Sequence, residues 1–241
     1  MFNSALIYEG RSPVDDAPIM AIATGGRSKS TNSKTGPMVQ IWILRSDIAP
    51  LDALSNGSDA SICGDCSLRG GVCYVTVFQA PNRIYDAYTR GRYPRMAPSD
   101  VGSQCADANV GVRNGAYGDP GTLPFEVVDA LLSPVKRHTS YTHMWTMPHF
   151  DSRHLRYSMA SVDGSDTHNI ETLRARYPQA RYYRITDDKT QLSGNEIVCP
   201  HKDADGIVRV QCADCGLCAG TGLDAKNIVE LSSKKLNGVT Q

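Results

Sequence analysis

The sequence predicts an α/β fold: a single domain over residues 1–241, built on a mostly parallel sheet, open or curled toward a partial barrel, with cysteine-rich metal-binding loops. Three observations predict it. From residue 108 onward, short apolar strand candidates alternate with amphipathic helix candidates on short connections, the rhythm of right-handed βαβ crossovers. Residues 38–44 are almost continuously apolar, as a strand buried on both faces is. Seven of the eight cysteines fall into two knots at metal-ligand spacing, and only Cys105 stands apart.

Composition bounds the function. The formal net charge is zero, so no global field gathers nucleic acid or an acidic membrane surface. No apolar run approaches the ~18–20 residues that span a bilayer. The first residues lack a basic segment and reach Glu9 early, which reads as no signal peptide. The expectation is a soluble cytoplasmic protein with no membrane partner. In a reducing compartment, clustered thiols serve metals or redox chemistry rather than disulfides.

Taken in order, residues 18–24 read as a strand. Residues 25–36, rich in glycine, hydroxyls and lysine, read as a solvated loop. Backbone N–H and ammonium groups there could cradle an anion, but the glycine spacing of a phosphate loop is missing. A short helix over 49–53 leads into the first knot, where Gly64, Gly70 and Gly71 allow the positive φ angles of a metal-wrapping loop. An apolar run at 74–78 follows as a strand.

Residues 80–91 read as a helix, with Pro81 in the first turn and Gly91 as the stop. Arg83, Arg90, Arg92 and Arg95 interleave with Tyr85, Tyr88 and Tyr93. Arginine meets phosphate and tyrosine stacks on bases, so this is a candidate nucleic-acid surface. At neutral net charge it reads first as a solvated face over core tyrosines. Strands at 109–113, 140–145, 156–162, 181–185 and 196–198 then alternate with helices at 123–135 and 167–177. A terminal helix covers 225–236.

Ligands of α/β sheets and barrels bind beyond the carboxyl ends of the strands. That rule selects the loop residues Asp119, His149, Asp163 and Asp187. Asp163 or Asp166 suits the cap of the following helix. Asp119 also suits its Gly-Asp-Pro-Gly turn. Asp119 and His149 are the catalytic candidates. His143 reads as a core histidine, and His201 as either a ligand or a solvent-facing loop residue.

The metal candidates are Cys63, Cys66 and Cys73 in C-x-x-C-x6-C, and Cys199 with Cys212, Cys215 and Cys218 in C-x-x-C-x-x-C. Three ligands so close in sequence crowd one zinc but suit the separated irons of a [4Fe–4S] cluster. Cys199-Pro200 has the form of the distant cluster ligand of bacterial ferredoxins, in reversed chain order. The first knot offers three thiols, for a cluster with an open iron, a [3Fe–4S] cluster, or a set completed by Cys105. Zinc is the alternative metal.

Several elements occur together: Lys34-Thr35-Gly36 before an apolar strand, Cys-x-x-Cys-x-x-Arg-Gly-Gly-x-Cys-Tyr at 63–74, Arg113 leading to Gly118-Asp119-Pro120, and Cys-Ala-Asp-Cys-Gly-Leu-Cys at 212–218. In this combination, over roughly residues 20–220, the chain resembles a family of uncharacterised phage proteins called after the product of mycobacteriophage gene eighty-eight. The resemblance implies a phage-encoded protein of the infected bacterial cytoplasm and transfers no activity. The layout is also distantly similar to radical S-adenosylmethionine enzymes, whose C-x3-C-x2-C is here C-x-x-C-x6-C. The expectation is an iron–sulfur protein with a redox or radical-type role toward an unidentified substrate or redox partner. The runner-up is a zinc-stabilised nucleic-acid-binding protein of phage replication or host takeover, using arginines at 83–95 and 174–184.

Overall fold

The computed structural model describes residues 1–28, 30–69, 73–186, 192–201 and 207–231. Gly70, Gly71, Asp187 and the end of the expected terminal helix lie outside them. Among the described residues nine strands form one sheet: β1 (Ser4–Arg11), β2 (Pro18–Thr24), β3 (Val39–Arg45), β4 (Val112–Tyr117), β5 (His138–Thr142), β6 (Met159–Val162), β7 (Tyr182–Thr186), β8 (Glu196–Val198) and β9 (Asn227–Leu231). Their order is β1-β2-β3-β4-β5-β6-β7-β9-β8. The first three pair antiparallel, and every pairing from β3 onward is parallel. β1 and β8 are both edges, so the sheet is not closed.

Strands β3 to β7 are neighbours in chain order. Crossovers of one hand, all stepping in one direction, place their helices on one face of such a sheet. The side-chain alternation agrees. Ala160, Val162 and Tyr182 pack with Leu173 of α6 (Ile170–Arg176). Met159, one position before Ala160, packs instead with Ile228, Tyr141, Tyr183, Leu217, Cys218 and Cys199. In the first half of the sheet, Val39, Ile41 and Val112 join the core beside Val101 and Cys105 of α4 (Pro98–Asp107) and Val128 and Leu131 of α5 (Phe125–Leu132). Their neighbours Gln40 and Arg113, paired across β3 and β4, point to the other face.

Apart from residues 74–78, each expected strand has a counterpart in this one mostly parallel sheet, with β4 starting at Val112 and β6 at Met159 rather than at 109 and 156. The strand at 140–145 ends at Thr142, and Met144–Thr146 is a 3-10 turn. Local acceptors break the ladder there: Asp119 takes the His143 N–H at 2.6 Å, and the Thr142 hydroxyl takes the Met144 N–H at 3.1 Å. The expected terminal helix is strand β9 over Asn227–Leu231, because Ile228 and Val229 are buried on opposite faces between β7 and β8. Residues 74–78 form no strand, and Tyr74 and Phe78 are exposed. The cap of α6 is Asn169, which accepts from Thr172 N at 2.8 Å, not Asp163 or Asp166. Helix α4 announces itself weakly, since only Val101, Gly102 and Cys105 of it are buried. No helix among the described residues is long and apolar enough to cross a membrane.

The far edge is tied by one carboxylate. Glu196 accepts from Tyr182 Oη at 2.8 Å, Arg184 Nε at 2.7 Å and Ser193 N at 2.8 Å. Burial pushes its pKa up, but Arg184, Ser193 and Tyr182 outweigh it and hold it at about 2. The folded value lies below the unfolded one. The stabilisation is therefore complete above the ordinary glutamate range and disappears as pH falls through about 2. It corresponds to roughly 3 kcal/mol at neutral pH. Glu196→Gln should lose that stability at neutral pH and show a flatter decline than the parent between about pH 5 and pH 2, read by denaturant unfolding.

Candidate metal centres

The first knot forms where the chain leaves β3. After α1 (Pro50–Asn56), the short α2 (Ala60–Cys63) ends at Cys63, and Gly64 turns the chain at φ +59° with its Cα against the Met144 sulfur, where a Cβ would overlap. Cys66 N then donates to Cys63 O at 3.3 Å. Arg69 holds the loop shut: its guanidinium meets Asp59 at 2.7 Å, Gly57 O at 2.9 Å and Gly64 O at 3.2 Å. The loop is docked over the carboxyl ends of β5 and β6, as Thr146 Oγ1 donates to Asp65 at 2.6 Å and Ser67 donates to Asp163. His168 Nε2 stands 3.5 Å from Asp65. Cys63 and Cys66 are partly buried and Cys73 is exposed. Burial, with Asp59 adding to it, pushes the Cys63 thiol well up. Burial likewise pushes Cys66 up to about 12.

The second knot covers the sheet face that carries no helix. Cys199 follows β8, and its N–H donates to Val229 O at 2.7 Å. Cys212 and Cys215 bracket the single turn α7 (Cys212–Cys215), and Gly216 reverses the chain to bring back Cys218. The next residues wedge between β5 and β6: Ser140 N donates to Cys218 O at 3.1 Å, and Gly220 N to Tyr157 O at 3.0 Å. Gly220 lies so close to the Leu155 carbonyl that a Cβ would overlap it. Buried Arg181 latches this segment from below, donating to Leu217 O at 3.0 Å and to the carbonyls of Ala219 and Lys226.

All four thiols, with His201, Pro200, Val210, Leu217 and Ile228, line one pocket. His201 is buried, and its Nδ1 pairs with Val210 O at 2.9 Å. Beneath lie Tyr141 and Tyr183, with ring centroids 4.8 Å apart. Burial pushes Cys218 up to about 12, against a hydrogen bond from Tyr141. It pushes Cys212 up to about 11, against the charge of Lys34. Lys34 itself pairs with Glu230. Burial alone would lower the Lys34 pKa, but Glu230 and the nearby Cys199 and Cys212 thiols carry it above its ordinary value. The loop carrying Lys34, expected to be solvated, is therefore part of this site.

The structure brings the seven metal candidates together as two separate groups. Among the described residues, no three His, Cys, Asp or Glu side chains converge closely enough to hold a single metal ion. Cys105 joins neither group, since it is buried in the core and burial is the one influence raising its thiol to about 11. Of the two catalytic candidates, Asp119 does lie at the carboxyl edge beside the first knot, its N–H donating to Ile62 O at 2.6 Å. Its carboxylate is enclosed and engaged, accepting from Gly121 N at 2.8 Å and His143 N at 2.6 Å. It staples three loops. His149 is exposed, and none of those partners comes from its segment.

The arginine surface is divided. The expected helix is α3 (Ala80–Thr89); Tyr85 and Tyr88 on it and Tyr93 beyond it pack against the core, while Arg83, Arg90 and Arg92 are exposed and Arg95 pairs with Glu9. Within 174–184, Arg174 stacks over Tyr182 at 5.7 Å, Arg176 binds Thr146 O, Arg181 is buried and Arg184 pairs with Glu196. Sequence reading missed Glu230, and it missed the structural roles of Arg69 and Arg181, the latter counted among the arginines of 174–184. Only Arg69 carried a signal, its place inside the cysteine motif.

Two outcomes are expected. In the metal-free protein at neutral pH, exposed Cys73 is alkylated first and buried Cys105 and Cys218 last, in time-resolved mass spectrometry. Labelling of Cys218 as fast as Cys73 would show that its pocket is open. Burial raises Asp119 to about 6, above the unfolded value, so this group's own contribution to stability falls as pH rises through about 6. Its hydrogen bonds offset only part of that cost, yet Asp119→Asn, which turns an amide donor toward one of the N–H groups and leaves it unpaired, should destabilise by about 1–3 kcal/mol at neutral pH. No family model matches the chain, and comparisons with curated proteins and with solved structures find no match, so the two thiol groups stand on their own geometry.

Proposed function

We propose that the protein binds an iron–sulfur cluster at the C-terminal thiol group and serves a redox or radical-type role, with the first knot as a second centre. The observation that carries this reading is the single pocket lined by Cys199, Cys212, Cys215 and Cys218. Soft thiolate donors select zinc or iron–sulfur. A tetrahedral zinc at ~2.3 Å from each sulfur needs sulfurs only about 3.8 Å apart. The described donors surround the pocket without such convergence. A cube, whose irons sit at separate corners, accepts a wider ligand set.

The cluster, when bound, supplies one-electron chemistry. The chain's own residues supply the rest. Val210, Leu217, Ile228 and Pro200 wall the pocket with apolar surface. Tyr141 hydrogen-bonds the Cys218 sulfur, and the backbone N–H groups of Cys199, Cys212 and Cys215 are fixed on the carbonyls of Val229, Lys34 and Gln211. At the first knot, three thiols would leave one iron open to an exogenous ligand at the carboxyl edge of the sheet.

Protein purified without oxygen should be brown, with the broad visible absorption of thiolate-to-iron charge transfer, and should contain iron and acid-labile sulfide. Serine at Cys199, Cys212, Cys215 or Cys218 should each bleach that cluster. Serine at Cys63, Cys66 or Cys73 should affect only a second one. A colourless anaerobic preparation with stoichiometric zinc and no iron overturns the reading. It would turn attention to the exposed Arg83, Arg90 and Arg92 and to salt-dependent nucleic-acid binding.

A further inference from the structure

We infer that Lys34 is the built-in counter-ion of the C-terminal thiol centre, held there by Glu230 and Tyr183 to set how readily the centre accepts negative charge. The inference deepens the iron–sulfur reading and rests on it for its first test.

The loop around Lys34 is built to reach this place. Asn32 folds it, its side-chain oxygen accepting from Lys34 N at 3.0 Å and Thr35 N at 2.9 Å. The loop then clamps the cysteine turn from outside: Cys212 N donates to Lys34 O at 3.0 Å, Ala213 N to Thr35 O at 2.9 Å, and Gln211 Nε2 to Ser33 O at 3.0 Å. The same carbonyls that anchor the loop satisfy amide groups at the start of α7, which otherwise have no partner within the turn. A lysine needing only solvation has no use for such a frame.

The side chain is directed inward. Its ammonium pairs with Glu230 on β9, and the other contact of that carboxylate is the Tyr183 hydroxyl, on the pocket floor beside Tyr141. Lys34 and Glu230 are each about two-thirds removed from solvent, with side-chain exposures of 37% and 32%. Charges placed so are only partly screened. A centre ligated by several thiolates is net negative, and reduction adds one more negative charge. A fixed cation beside it favours the reduced state, and a fixed anion opposes it. Lys34 and Glu230 thus act in opposite directions on the same centre, as positioning residues that touch no substrate.

The test uses that opposition. In anaerobically reconstituted full-length protein, the reduction potential from a redox titration followed by electron paramagnetic resonance should fall in Lys34→Met, stay near the parent in Lys34→Arg, and rise in Glu230→Gln. Loosening of the site would move the Met and Gln variants the same way, so shifts of one sign overturn the inference, as do unchanged potentials. If the parent holds no iron, the iron–sulfur reading fails on that count alone. The counter-ion is then read by cobalt(II) titration of the metal-free protein through its thiolate charge-transfer band. Lys34→Met should bind cobalt more weakly and Glu230→Gln more tightly, and equal affinities overturn the inference.

Discussion

A parallel sheet whose strands follow one another in chain order puts its helices on one side and leaves the other side apolar and bare. A closed barrel solves this by folding the bare side onto itself. Here β1 and β8 remain edges, so the bare side must be covered by other parts of the chain. The cover consists of the loop carrying Lys34 from one end of the sequence and the cysteine segment from the other. The two are stitched through the amides of α7. Arg181 holds the cysteine segment from below, and Glu230 with Tyr183 meets Lys34 from the side. The need to bury that face explains why an otherwise irregular, glycine-rich segment has a fixed path.

The two thiol groups occupy different kinds of place. The first lies on the loop after β3 at the carboxyl edge, docked by polar contacts from Asp65 and Ser67, with Cys73 exposed. The second lies on the sheet face, walled by apolar side chains and floored by two tyrosines. Exposure suits exchange with an outside molecule, and enclosure suits holding a group whose environment must not change. The division agrees with the strand-end rule for the first group and departs from it for the second.

Much of the architecture was legible because it rests on local patterns. The apolar run of β3 and the rhythm of β4 to β7 follow from periodicity, and the thiol groups from spacing. What was not legible depends on distant partners. Strand β9 resembles a helix end in isolation, and only the gap between β7 and β8 makes it a strand. The strand before Trp145 is cut short by Asp119, more than twenty residues earlier. Lys34 looks like a solvated lysine until Glu230 and Cys212 are placed beside it. Asp119 was found by the strand-end rule, and its hold on the loops around it depends on Ile62 and His143, which the rule does not see.

The Arg181 latch fixes when the site can exist during biosynthesis. Its acceptors lie at Leu217, Ala219 and Lys226, and Gln211 is bonded to a residue 178 positions earlier. Contacts of such separation form late, after the loop-closure cost has been met. A nascent chain therefore exposes Cys199, Cys212 and Cys215 on an unlatched strand-end until residue 226 has left the ribosome. On the proposed reading, metal insertion is therefore a post-translational event. Anything that reaches these thiols early meets a cysteine segment that the Arg181 latch has not yet closed.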